Sequence, residues 1–543
     1  WNVESLCEAG CGNMRGHTRA THGENGVAFA NGTTPEFVIQ FKKAASQYVL
    51  SLTATDASGE YIVGAITGIP LMCKYVRREI RDLTRDDREK FLSALEITHR
   101  VPYDEGQTMY AGKYMDAVGL TRKHLAKMTL DRCTPYHNGK VFFPAHASFS
   151  LEMEQSLQTI DPSISMPYWD YTIDNLFFGQ DWPSSPIWSD ELFGSVRPNT
   201  SGHVINSGRF AYTPIRTDPD APERNGYGRL TDKMNQDPVH YLTRGAASVC
   251  GLQTKVHLPG CTELRRALEA ESLEELDHLV EYEFHGYLHL LLGGAWDCGA
   301  SLEFHKLTVD LTTDIGRRIE ETALNLNTLW RYMFFSGYLK FPDGCGENTT
   351  FDECRARCPG FQDDINNDTA LRGSQVYEIL YTSGVLDALD GMLTYYNDTA
   401  EMYQITDLDD RETTEFYRWF LKVLCSPGKL APMATPLAAT NDPIFWPSHN
   451  FYEKIWSWLR LKGRAGTGKF SEKWEQQADA CFGQDFHDPL PFRGFLHEGD
   501  ALRTKQDGAR DYTNQELVEL FDPTNPRLPY VYDEIGNFDH CSW

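Results

Sequence analysis

The stretch Glu281–Gly294, EYEFHGYLHLLLGG, sets His285 and His289 four residues apart in an apolar run that ends in two glycines. On a helix that spacing puts both rings on one face, one turn apart, so two imidazoles can present themselves to one metal ion. Glu281 stands one turn before His285 on the same face. A lone His-x3-His is more often a surface or core pair than a metal site, so the reading depends on what else the chain supplies.

Two further stretches supply it. In HNGKVFFPAHASFSLEMEQSL (137–157), Pro144 suits the first turn of a helix that carries His146, which leaves His137 in the loop before it. Glu154 lies two turns beyond His146 on nearly the same face. In NDPIFWPSHNFYEKIWSW (441–458), Asn441 or Asp442 can cap a helix whose first turns hold His449, with Ile455 and Trp458 facing the core. Glu453, one turn on, is placed to accept from the imidazole N–H.

Around these stretches the chain reads as a large globular protein. Its 543 residues are 41% hydrophobic and 12% aromatic, which excludes general disorder. A net charge of −26 argues against a nucleic-acid or anionic-membrane partner. No window approaches the ~18 apolar residues of a spanning helix. Thirteen cysteines and five Asn-x-Ser/Thr sequons, at Asn31, Asn199, Asn348, Asn367 and Asn397, favour a secreted, disulfide-bonded glycoprotein. An odd cysteine count leaves at least one thiol outside intramolecular pairing. Trp1 in place of Met is the mark expected of a trimmed mature form.

Along the chain, residues 1–72 read as an N-terminal extension of unknown role, with a helix near 35–45, strands at 48–53 and 61–66, and an end at Gly68-Ile69-Pro70. Residues 73–543 form the main domain. Helical periodicity is expected at 76–95, 263–292, 374–396 and 412–425. Loop is expected at 185–245 and over most of the tail after Gly463. A Cys-containing insertion at about 300–440 holds Cys345, Cys354 and Cys358 in a surface excursion stapled by disulfides.

Taken together, the three histidine stretches resemble the copper signatures of the type 3 copper family: tyrosinases, catechol oxidases (polyphenol oxidases) and haemocyanins. His137, Phe142, His146 and Glu154 match the first signature. Asp442, Pro443, Phe445, Trp446 and His449 match the second, with Glu453 where the family usually has Asp. Pro167-Tyr168-Trp169-Asp170 and Tyr530-Val531-Tyr532 are further family marks in the right order. Departures are Ala145-His146-Ala147 in place of an aromatic-His-Arg, Pro447-Ser448 before His449, and 160 residues from His289 to His449.

The resemblance implies a mainly α fold with a central four-helix bundle that holds two copper ions and uses O2 as co-substrate. Copper A would take His124, His137 and His146, and copper B would take His285, His289 and His449. The first of these six is open between His124 and His99. Cys133 is either the family's thioether to the second histidine or half of an ordinary disulfide. The implied activity is oxidation of a small phenolic or catecholic substrate, an o-diphenol to an o-quinone. Monophenol o-hydroxylation would need Glu281 and a neighbouring Asn to hold a water, and the Asn position is Gly286, so diphenol oxidation is favoured. The loop 431–441 would line the entrance. A haemocyanin-like dioxygen carrier with the same centre is the alternative.

Overall fold

The structure is a computed structural model. It describes residues 69–126, 136–215, 241–298, 313–340, 350–361, 371–474, 482–495 and 510–542, apart from 138, 247, 251, 254–256, 351, 352, 354 and 435–437. Elsewhere it describes residues 44–51 and some short strand segments. In chain order the helices are α1 (Arg85–Arg100), α2 (Tyr103–Tyr110), α3 (Ala117–Ala126), α4 (Phe142–Ile160), α5 (Tyr171–Phe178), α6 (Cys261–Glu269), α7 (Leu273–His278) and α8 (Tyr287–Gly293). They continue with α9 (Asp314–Leu324), α10 (Leu326–Phe335), α11 (Gly373–Thr382), α12 (Val385–Ala388), α13 (Asp410–Leu424), α14 (Phe445–Arg464) and α15 (Asn514–Leu520). The fold is mainly α, as its sequence implies. Among the described residues no helix is long and apolar enough to cross a membrane.

The bundle that carries the histidines is α3, α4, the run Leu279–Gly293 ending in α8, and α14. Helix α4 is buried on nearly every side from Phe142 to Leu157, and α14 from Phe445 to Ser457. Helices apolar all round belong in the middle of a protein. Where their partners must be polar, the charges meet each other. Arg77, fully buried, lies between the two helices and donates to Glu154 of α4 (2.5 Å) and to Glu453 of α14 (2.8 Å). Tyr530 and Tyr532 donate to Glu453, and the Arg77 guanidinium sits 3.3 Å over the Tyr530 ring. Strand Tyr530–Tyr532 pairs in parallel with strand Tyr75–Arg77, which delivers both partners to one place. A second buried pair holds the start of α14. Arg244 forks onto both oxygens of Asp442 at 2.8 and 2.6 Å, and Asp442 Oδ1 accepts the N–H of Ile444.

Several sequence expectations change here. Residues 76–84 are not helical: Tyr75–Arg77 is a strand, and α1 starts only after Thr84, whose side chain accepts from Asp87 N. The helix expected at 374–396 breaks into α11 and α12 and then becomes strand Thr394–Asn397, paired with Met402–Ile405. In the N-terminal region, Ile39–Gln40 is a strand inside the expected helix, and Ser46–Ser51 is the expected strand, paired with Ile69–Cys73. That sheet therefore runs to Cys73. The expected strand at 61–66 lies outside the described residues, as do Cys133, Cys345 and Cys354. Disulfides join Cys250 to Cys298, Cys261 to Cys541 and Cys358 to Cys425, and Cys73 is a free thiol. Glu453 does not serve an imidazole. Its carboxylate is taken up by Arg77 and the two tyrosines, and His449 turns elsewhere.

Arg77→Met should leave two buried carboxylates without their counter-charge. We expect a loss of about 3–5 kcal/mol of unfolding free energy in urea denaturation, while Met at an exposed arginine such as Arg411 should change it little.

Candidate metal centre

Each histidine is placed by a different local device. His124 sits in the last turn of α3, His146 in the second turn of α4, and His449 in the second turn of α14. His137 comes from the turn before α4. His285 and His289 lie where the helix changes pitch, because Leu279–Gly286 is a π-helix that hands over to α8. Such wide turns occur mostly at functional sites. Gly286 belongs to that widening: a Cβ there would stand 2.7 Å from the carbonyl oxygen of Glu281. The glycine is therefore a steric requirement of the turn, and no side chain is presented at this position.

The six rings gather into two groups. In His124, His137 and His146, as in His285, His289 and His449, the potential ligand atoms of each triad lie within 4.8 Å of one another, and the triads are buried but for half-buried His289. The groups face each other: ring centroids are 5.0 Å apart for His146 and His449, 6.0 Å for His146 and His285, and 6.2 Å for His137 and His285. His99, the alternative to His124, is on α1 with its ring edge-on to Phe210 and takes no part in either triad.

Backbone carbonyls fix the tautomers. His146 Nδ1 donates to Phe142 O and His449 Nδ1 to Phe445 O, both at 2.8 Å. His285 Nδ1 donates to Glu281 O at 3.3 Å, and His289 Nδ1 to Met433 O at 2.9 Å. Each Nε2 of these four rings is then a lone-pair acceptor, buried, with no hydrogen-bond partner among the described residues. Orphaned buried acceptors are costly in protein alone and are what a cation would satisfy. Burial pushes the protonated forms away: His146 titrates down at about 3 and His289 at about 4, and burial with the neighbouring imidazoles takes His285 and His449 well below the ordinary range. Neutral imidazole is the form that binds a metal. The donor set, three imidazoles twice over with no thiolate or carboxylate among the described residues, fits two copper ions.

Aromatic rings lock the orientations. Phe445 stacks on His449 at 3.7 Å between centroids, and Phe142 lies 4.4 Å from His146 and 4.8 Å from His285. A cavity of about 700 Å³ opens onto the site, with His124, His137, His285 and His289 in its wall. Glu281 lines it, as expected of a residue one turn before His285, and so do Ala434 and Ala439 from the expected entrance loop. Two residues were not foreseen. Met433 supplies the carbonyl that orients His289. Asp277 is buried one turn before Glu281 with Oδ1 unpartnered among the described residues, and burial followed by the Glu281 charge raises its pKa well above its ordinary value. The four-residue spacing Asp277, Glu281, His285 was the available signal.

Residues 97–304 match the family model described as the common central domain of tyrosinase. Grixazone synthase of Streptomyces griseus is 30% identical over 181 residues, which is 31% of this chain and 52% of that protein. A tyrosinase of Streptomyces galbus is 28% identical over 143 residues, 25% of this chain and 44% of that protein. The chain thus spans about half the length of these curated relatives. A tyrosinase structure from Burkholderia thailandensis aligns over 84% of this chain and 73% of that one at 15% identity and a TM-score of 0.33. Residues 97–304 are thus similar to the central domain shared by tyrosinases, which is where the two histidine triads begin.

Two predictions follow from the geometry. Copper loaded into the intact protein should reach two ions per chain by metal analysis, and His449→Ala should lower it to about one, since one complete triad remains. Unchanged stoichiometry would remove His449 from the ligand set. Gly286→Asn should force the π-turn to move and cost about 1–3 kcal/mol in thermal or urea unfolding, with loss of copper from the second triad first.

Proposed function

We propose that this protein is a secreted binuclear copper oxidase that uses O2 to convert o-diphenols to o-quinones. The observation that carries the reading is the pair of buried, neutral histidine triads facing each other beneath one cavity. His124, His137 and His146 would hold one copper, and His285, His289 and His449 the other. When bound, the copper pair supplies the two-electron exchange between dioxygen and the phenol. Two diphenols give up four electrons and four protons to one O2, leaving two quinones and two waters.

The chain's own part is placement and proton handling. Backbone carbonyls and stacked phenylalanines hold the imidazoles at fixed angles, so little reorganisation accompanies a change of metal charge. The cavity, about 700 Å³, has room for an aromatic ring beside the triads. Glu281, one turn before His285, is the cavity carboxylate nearest in sequence to a triad and is placed to receive a phenolic proton, with Asp277 one turn behind it. Gly286 offers no side chain to fix a water beside Glu281. That supports diphenol oxidation over monophenol hydroxylation. The negative chain charge supports a small neutral substrate and no nucleic-acid partner, and the disulfides support an oxidising, extracellular compartment. The division into an extension at 1–72 and a copper domain at 73–543 is part of the same proposal.

The test is oxygen consumption and quinone absorbance with catechol and with tyrosine on the copper-loaded protein. We expect catechol turnover to exceed tyrosine hydroxylation by about tenfold or more. Reversible O2 binding with no turnover of either would overturn the oxidase reading in favour of a carrier.

A further inference from the structure

The long segment between His289 and His449 is not only a surface excursion. Its residues Asn325, Ala388 and Met392 line the same cavity as His137 and His285. Met392 is presented on a tight turn between α12 and strand Thr394–Asn397. Met392 N and Leu393 N both donate to Leu389 O, at 3.0 Å each, and Gly391 N donates to Thr394 O at 2.9 Å. Gly391 takes φ +76°, which a residue with a side chain rarely adopts, so the turn needs glycine there. Arg318 of α9 donates from Nη1 to Met392 O at 2.9 Å, and Thr394 Oγ1 donates to Leu386 O at 3.0 Å. Leu386, Leu389 and Leu393 are buried beneath the turn. The Met392 side chain itself is half-buried and packs on the core edge.

Resting on the oxidase reading, we propose that this insertion turn is the outer wall of the substrate cavity and that Met392 sets the size of the ring substituent the site accepts. The inner wall is rigid, because it is made of metal-ligating helices and stacked rings. On the insertion's side the wall is a pinned backbone bearing one flexible, polarisable thioether, with Asn325 and Ala388 beside it. Such a side chain moulds itself to a small apolar substituent and gives way only so far. Substituents opposite the hydroxyls of the catechol ring therefore meet Met392, and bulk there is selected by one residue that belongs to neither copper triad.

The experiment compares Met392→Trp, Met392→Ala and Met392→Leu with the unaltered protein, all copper-loaded, using catechol and 4-tert-butylcatechol. Met392→Trp should lower kcat/KM for the bulky diphenol about tenfold while changing catechol less than about twofold, and Met392→Ala should shift the ratio the other way. Met392→Leu, near in volume, should keep the original ratio and shows that the position tolerates replacement. Calorimetric binding of benzoate against 4-tert-butylbenzoate reads the same wall without turnover. A bulky-to-small ratio that stays constant in all three variants, in both rate and binding, at full copper content, overturns the proposal. A protein that binds two coppers and both benzoates with the expected pattern but oxidises no catechol overturns the oxidase reading instead.

Discussion

Everything in this molecule depends on keeping a set of imidazoles neutral and fixed in a dry interior. A buried imidazolium would be expensive, and several side by side would repel one another. The fold answers by giving four rings a carbonyl for Nδ1 and leaving Nε2 with no hydrogen-bond partner among the described residues. A cluster of unsatisfied acceptors is unstable on its own account. It becomes favourable once cations sit among them, which couples metal binding to the stability of the bundle.

The same constraint explains the charges deep between α4 and α14. Those helices must approach closely to bring His146 and His449 within stacking distance. One helical face carries ligands, and Glu154 and Glu453 follow at the next turns. Arg77 neutralises both and is itself held by two tyrosines, so the helices are clamped one to two turns beyond the histidines. Arg244 and Asp442 do the same at the start of α14, directly ahead of the turn that carries His449. The clamps link residues 77, 198 and 376 positions apart in the chain, so the centre assembles only when distant parts of it have folded together.

How much of this could be read beforehand follows from the range of each interaction. His285 and His289 share a helix face, and His146 and His449 lie in short motifs with helix-starting prolines, but each spacing alone reads as an ordinary histidine, and it was their joint resemblance to the copper signatures that singled them and His137 out. Between His124 and His99 local pattern could not decide, because both lie near helix ends, and only the tertiary packing brings His124, and not His99, beside His137 and His146. The assignment of Glu453 to an imidazole failed for a related reason. Its real partners come from strands at residues 75–77 and 530–532, and a lone arginine beside another arginine at 77–78 gives no sign that it will be buried. The π-turn at Leu279–Gly286 was also invisible, since its pitch differs from that of an α-helix by one residue in a run that reads as continuous. Periodicity misled at 76–84, where residues at helical spacing belong to a strand and a turn before Thr84.

The central claim is that the two triads hold a pair of copper ions. It is tested most directly by anomalous diffraction at the copper edge on crystals of the loaded protein. Two peaks are expected, one about 2 Å from the Nε2 atoms of each triad, the distance usual between imidazole and a first-row divalent ion. No peak in this position, or a single ion bound only away from the triads, as at half-buried His540, would contradict it.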